Sequence, residues 1–169
     1  MALARYQTAA ALSVSGAALA LGIALASERW GGLVPCALCL WERWPYRLAI
    51  VFGLVTLAVP ERAARPFLFL VLLSFAAAAA LAAVHVGVEQ GYWPSPLPEC
   101  AAPFVDRGSI AERLARMPAV PAKPCDEPTF LLPFLPVSMA AMNLLYALAL
   151  AAALAIFLWR SRGERRNER

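Results

Sequence analysis

The stretch VPCALCLWERWPYR, residues 34–47, sets two cysteines three positions apart against a charged and aromatic patch, and only an uncharged run from Leu48 to Pro60 follows it. Those 13 residues are too few to cross a bilayer core of about 30 Å, which takes roughly 20 residues of helix. A helix that spans here must reach back to Cys39 or Cys36, and it then carries Arg43, Arg47 and Glu42 toward lipid depth. Charge in that position either snorkels to the interface or is retained because it has work to do there.

The rest of the chain makes a membrane the expected setting. Of its 169 residues 62% are hydrophobic and the mean hydropathy is +0.64, outside the range of soluble domains. Tyr6 to Ser27 carries no charge, and Pro66 to Val88 has no ionisable residue but His85. The last run is charge-free from Pro128 to Trp159, and Pro133 and Pro136 put the start of its helix near Val137. The expected fold is an all-α bundle of four membrane-spanning helices, at about 6–27, 39–59, 66–88 and 137–159. Arg5, the first run and Ala24-Leu25-Ala26 also fit a secretory signal with its cleavage site. The uncharged length exceeds the usual signal core, which favours a retained span.

The tail RSRGERRNER, residues 160–169, carries five arginines, and the connection at 60–65 holds Arg62 and Arg65. The positive-inside rule places both in the cytoplasm, and with four spans the N-terminus joins them. The connections at 28–38 and 89–136 then face outward, and Cys36, Cys39, Cys100 and Cys125 all fall on that side. Disulfides persist in such oxidising compartments. Four cysteines allow three pairings, and spacing does not choose among them. The net charge of +4 sits at cytoplasmic membrane edges, where it reads as a topology signal with anionic lipid contact; no nucleic-acid partner is expected.

The long outer connection holds prolines at 94, 96, 98, 103, 118, 121, 124 and 128, which excludes extended regular structure through most of it. One short helix is expected within it. Ser109 and Glu112 form a capping-box pattern, Ile110, Leu114 and Met117 share a face, and Pro118 ends the helix. Its apolar face rests either on the membrane surface or on the outer end of the bundle. Trp30, Trp41, Trp44, Tyr46, Tyr92 and Trp93 cluster at the outer membrane edge as an aromatic belt.

The cysteines carry the chemistry. Cys100 and Cys125 alone would make a staple worth about 3 kcal/mol by loop closure. Cys36 and Cys39 enclose two residues and would staple almost nothing. What that spacing offers is a low-pKa thiolate at a helix N-terminus, and Pro35 suits such a start. Cys36, Cys39 and Arg43 at i, i+3 and i+7 share one helical face, so the guanidinium can stabilise a thiolate and attract a developing anion on an electron acceptor. A four-cysteine zinc site is disfavoured, because Cys100 and Cys125 stand 25 positions apart in a Pro-rich loop, and no metal is expected.

Two pairs on one face point to electron relay by thiol–disulfide exchange: an outer loop meets a soluble dithiol, and the pair at the membrane edge meets a lipid-soluble acceptor such as a quinone. His85, three residues from the outer end of the third span, is either an interfacial histidine bonded to a carbonyl or headgroup, or a hydrogen-bond and proton partner for a quinone oxygen.

Taken together, these residues resemble the DsbB family of bacterial inner-membrane disulfide-forming enzymes. The resemblance rests on four spans, on Pro35-Cys36-Ala37-Leu38-Cys39 followed by Glu42-Arg43, on Pro94-Ser95-Pro96 ahead of Cys100, and on Cys125-Asp126 before the last span. It implies a bacterial inner (cytoplasmic) membrane enzyme that reoxidises a periplasmic DsbA-like thioredoxin-fold protein and reduces ubiquinone or menaquinone. Cys100 would form the mixed disulfide and Cys125 would complete the loop pair. Electrons would pass to Cys36 and Cys39, with Cys39 beside the quinone and Arg43 assisting. His85 is similar to the family's histidine near the quinone, though it lies 15 residues before Cys100. Relatives of vitamin K epoxide reductase place their loop pair before the Cys-x-x-Cys, the reverse of the order here. A non-catalytic membrane scaffold with a stapled loop is the alternative, and it gives no reason for Arg43 to share a face with the cysteines.

Overall fold

A computed structural model describes residues 2–100, 109, 111–112, 123–131 and 135–167. The helices are α1 (Ala2–Arg29), α2 (Ala37–Trp41), α3 (Arg43–Ala58), α4 (Glu61–Glu89) and α5 (Met139–Asn167), with a 3-10 turn at Pro98–Cys100. Among the described residues there is no strand, only an isolated bridge between Phe130 and Ser138.

The ends of these helices follow from local chemistry. After α1 the chain turns through Gly32, whose φ of +65° lies in the left-handed region. Helix α4 starts after Pro60, with Glu61 in the first turn, where an acid suits the positive end of the helix dipole. It stops in a Schellman motif: Gly91 has φ +72°, its N–H donates to Val88 O at 3.1 Å, and Tyr92 N–H donates to Gly87 O at 2.9 Å. Trp93 then folds back, its indole lying on Gly87 and its Nε1–H donating to Val84 O at 3.1 Å. Ser138 caps α5 by accepting from the Ala141 N–H at 3.2 Å, while its own hydroxyl donates to Glu89 at 2.5 Å. One side chain thus ties the end of α4 to the start of α5.

Several boundaries differ from the hydropathy pattern. Helix α4 begins at Glu61, so residues 61–65 form its first turns and only Val59 and Pro60 connect it to α3. Pro66 forfeits one backbone bond inside the helix without ending it. Likewise α5 continues past Trp159 through residues expected as tail. Apolar runs mark where lipid-compatible side chains stop, whereas caps mark where helices stop. The span expected at 39–59 is two pieces that meet at Glu42, because Pro45 has no N–H for the Trp41 carbonyl and its ring crowds that carbonyl. Of the expected outer helix only the capping pair is described. Ser109 N–H and hydroxyl donate to Glu112 Oε2 at 2.9 and 3.0 Å, which holds that carboxyl below its ordinary range; residues 113–118 lie outside the described residues.

Helix α4 packs most extensively, against α3 on one side and α5 on the other, and α1 packs mainly on α3. The core centres on Leu68, Val71 and Phe75 of α4. Fully buried alanines at 10, 17, 49, 64, 78, 82 and 147 let the helices approach closely, as small residues do where lipid removes the hydrophobic drive to associate. Gly53 of α3 lies so close to Val14 of α1 that a side chain there would meet Val14 Cγ2 at 2.5 Å. The opposite faces expose Leu12, Leu19, Leu54, Phe69, Leu145 and Ile156.

Among the described residues, three helical segments are long and apolar enough to cross a membrane: Leu3–Arg29, Glu61–Glu89 and Met139–Gly163. Helix α3, with 16 residues, is about 24 Å long and falls short by itself; with α2 the helical path covers 37–58.

Candidate thiol and electron-acceptor site

Cys36 is the N-cap of α2, its Sγ accepting from the Cys39 N–H at 3.2 Å. The two sulfurs lie 2.7 Å apart, unbonded. Contact with the Cys39 thiol lowers the Cys36 pKa, the Cys39 N–H adds to the effect, and burial and the Glu42 charge oppose it.

Cys100 and Cys125 form a disulfide with a Cα–Cα distance of 5.0 Å, which resolves the pairing that spacing left open. The Pro98–Cys100 turn packs against α2. Cys36, Leu38, Val88, Cys100 and Cys125 form one buried cluster, with Cys39 and Leu97 against it. Both cysteine pairs therefore meet at the C-terminal end of α4.

His85, on α4, is buried and bridges the pair to a polar network. Its Nε2 is 3.5 Å from Cys36 Sγ, and its Nδ1 is 2.7 Å from Glu42 Oε1. An ionised carboxylate only accepts, so Nδ1 carries the hydrogen of that bond. Glu42 Oε2 accepts from Asn143 Nδ2 at 2.7 Å, and Asn143 Oδ1 accepts from the Tyr46 hydroxyl at 2.6 Å. The network joins the α2–α3 junction to α4 and α5. A buried charge is tolerated when it is paired and hydrogen-bonded in this way.

Arg43 is 8% exposed, which separates it from a snorkelling arginine. Its Nη2 donates to Glu28 Oε2 at the end of α1, at 2.8 Å. Its Nε is a buried donor with no partner among the described residues. Arg47 does stay at the surface, over the Trp44 ring at 4.9 Å.

A cavity of about 240 Å³ opens beside these groups. Ala20, Ile23 and Ala24 of α1 and Met139, Ala140 and Met142 of α5 supply its apolar walls, and Cys39, Glu42, Arg43 and His85 supply a polar edge. It lies between α1 and α5, which pack less closely than the other neighbouring long helices.

All six expected site residues are thus placed: Cys36, Cys39, Arg43 and His85 at one centre, with Cys100 and Cys125 packed beside it. Tyr46 departs from the aromatic belt, being 3% exposed and bonded within the bundle, whereas Trp30, Trp41, Trp44, Tyr92 and Trp93 are exposed. Neither Trp41 nor Trp44 lines the cavity. In the sequence Glu42 stands out as a charge near a span and as the neighbour of Arg43 in the DsbB-like motif, whereas no local pattern marks Glu28. A lone amide inside an apolar run is the signal that marks Asn143. The Cys100–Cys125 disulfide takes two of the four thiols out of a four-cysteine zinc site, and the structure sets His85 beside Cys36 and Cys39, with their ligand atoms within 4.8 Å of one another.

The model of the family described as "Disulfide bond formation protein DsbB" matches residues 6–157. An uncharacterized protein of Rickettsia prowazekii (strain Madrid E) is 26% identical over 157 residues, covering 92% of this chain and 89% of its own length. No solved structure matches.

Proposed function

Because the chain belongs to the DsbB family of disulfide bond formation proteins, we propose that it is a quinone-dependent protein-disulfide oxidase. It takes electrons from a periplasmic DsbA-like thioredoxin-fold protein through Cys100 and Cys125, passes them to Cys36 and Cys39, and delivers them to ubiquinone or menaquinone. The observation that carries this reading is the convergence of both cysteine pairs, with Cys36, Cys100 and Cys125 in one buried cluster and Cys39 packed against it, lining the cavity with Arg43 and His85.

The residues fit a quinone. The walls of the cavity are apolar, and the unpartnered Arg43 Nε is a donor suited to a carbonyl oxygen. A volume of about 240 Å³ is below the roughly 300–1,000 Å³ of pockets that enclose whole ligands, which suits a headgroup whose tail lies outside between α1 and α5. When bound, the quinone supplies a two-electron, two-proton acceptor.

The chain's own part is thiol chemistry and proton handling. A partner thiolate attacks Cys100 Sγ, forming a mixed disulfide and releasing Cys125 as the thiolate. The second partner thiol resolves that bond, leaving the partner oxidised by two electrons. Exchange with the adjacent pair in its disulfide form, regenerated in each cycle by the quinone, breaks the Cys36–Cys39 bond, restores the Cys100–Cys125 disulfide and leaves Cys36 and Cys39 reduced, the state the structure shows. His85 Nε2, 3.5 Å from Cys36 Sγ, is placed to take a thiol proton, and Glu42 supports the imidazolium that results. Arg43 offers positive charge toward the acceptor.

The proposal includes four crossings, with α2 and α3 together as the second. Arg62, Arg65, Arg160 and Arg162 share one end of the bundle, which supports cytoplasmic termini and a periplasmic face for all four cysteines in a bacterial inner membrane.

The deciding experiment reconstitutes the purified chain with quinone and a reduced DsbA-type dithiol. Quinone-dependent oxidation is expected, and thiol trapping after quinone depletion should find Cys36, Cys39, Cys100 and Cys125 all reduced. A loop pair that stayed oxidised throughout would contradict the relay and leave the stapled scaffold.

A further inference from the structure

We propose that the reduced Cys36–Cys39 pair and His85 together form a binding site for a thiophilic divalent cation of the zinc class, and that the ion holds the pair out of thiol–disulfide exchange. The site shares Cys36, Cys39 and His85 with the redox reading but does not rest on it.

The geometry is close to what a tetrahedral ion needs. With Zn–S near 2.3 Å and Zn–N near 2.0–2.1 Å, a sulfur and a nitrogen on one ion stand about 3.6 Å apart. Cys36 Sγ and His85 Nε2 are 3.5 Å apart. Two sulfurs on one ion stand about 3.8 Å apart, so from 2.7 Å the Cys39 side chain must open by about 1 Å. Cys39 is the partly exposed member and borders the cavity, which leaves room for that movement.

The histidine is already prepared as a ligand. Glu42 Oε1 holds Nδ1–H at 2.7 Å, so in the neutral ring the free lone pair sits on Nε2 and faces the sulfurs. A carboxylate behind a ligating histidine fixes its tautomer and orientation and raises its basicity. Asn143 in turn holds Glu42. Cys100 and Cys125 are committed to their own disulfide, which leaves three protein donors and a fourth position on the cavity side for water. That is the donor count of an open zinc site rather than a closed structural one.

Binding changes no oxidation state. Cys36 and Cys39 enter as thiolates, two thiol protons leave to solvent, and the ion remains divalent. While it is bound, neither sulfur is free to attack a disulfide, and the two cannot join to each other. The pair is then locked in its reduced form.

Cobalt(II) tests this directly on the full-length protein in detergent under anaerobic conditions, with Cys36 and Cys39 reduced and the Cys100–Cys125 disulfide kept intact. One equivalent should produce thiolate-to-metal charge-transfer absorption in the near ultraviolet together with tetrahedral d–d bands, and zinc(II) should displace it. Cys36→Ser and Cys39→Ser should each remove most of the charge-transfer intensity. His85→Gln should shift the d–d bands and weaken binding tenfold or more, and Glu42→Gln should weaken it about tenfold. The double variant Cys100→Ala/Cys125→Ala should leave the spectrum unchanged, and its intact bands would also report a folded site. No charge-transfer absorption, bands indifferent to His85→Gln, or bands lost in the loop double variant would each overturn the assignment. Oxidase activity of the metal-free protein is read separately, so a failed cobalt titration leaves the proposed function standing, and the reverse holds.

Discussion

His85 Nδ1 lies 2.7 Å from Glu42 Oε1, so the imidazole beside Cys36 is aimed by the one residue at which α2 passes into α3. A hydrogen bond to a charged group is worth about 1.5–3 kcal/mol when buried. Glu42→Gln keeps the shape and removes the charge. Turnover should fall tenfold or more, while circular dichroism still reports a helical protein. The pH dependence of kcat should also change, because His85 loses the carboxylate that supports its protonated form. An unchanged profile would mean that Glu42 only fills space.

Cys36 should remain a thiolate at lower pH than an ordinary cysteine, because the Cys39 thiol and N–H stabilise the anion. Since its folded pKa is lowered, the stability this group lends the reduced protein is complete above the ordinary thiol pKa and is lost as pH falls through the lowered value. Alkylation rates of Cys36 against pH give the midpoint. Cys39→Ser should move that midpoint upward; a midpoint in the ordinary thiol range for the wild-type chain would contradict the geometry.

Arg43→Ala should raise the KM for quinone at least tenfold and leave the KM for the dithiol partner within a factor of two. Arg43 is buried, lines the cavity and has an unpartnered Nε, whereas Cys100 and Cys125 lie outside the cavity lining. Glu28→Gln should do less, since Glu28 is the more exposed half of that ion pair, its side chain at 38% against 10% for Arg43. Steady-state kinetics with each substrate varied in turn decides the matter.

Gly87→Ala should dislodge Trp93, whose indole occupies the space a methyl group would take. The ring then loses its bond to Val84 O, at a cost of about 1 kcal/mol. Trp93→Phe should cost a similar amount, and the double variant little more than either, because the two changes remove the same contact. Thermal unfolding in detergent measures all three.

Much of this architecture is legible without coordinates. Long uncharged runs give the helices, because lipid tolerates little else. Cys36, Cys39 and Arg43 fall on one face by arithmetic alone. What periodicity does not carry is pairing between distant helices. Glu42 meets His85 across 43 positions and Asn143 across 101, and hydropathy gives no sign of either. Tyr46 illustrates the same limit: an aromatic near a membrane edge fits a belt, and only its bond to Asn143 reveals that it faces inward. The division of the second span at Glu42 was also hidden, although Pro45 is a local cause that could have revealed it.

The docking of Trp93 on Gly87 fixes the point from which the outer chain departs. Cys100 lies seven positions after Trp93, a leash of at most about 24 Å. Should the Cys100–Cys125 bond open during exchange, Cys100 stays within that radius of α4 and hence of Cys36. For so short a leash, return to the inner pair is a unimolecular event at an effective concentration of millimolar order. Under the proposed relay, the rate of that exchange is set by tether length and is independent of how much of the protein the membrane holds.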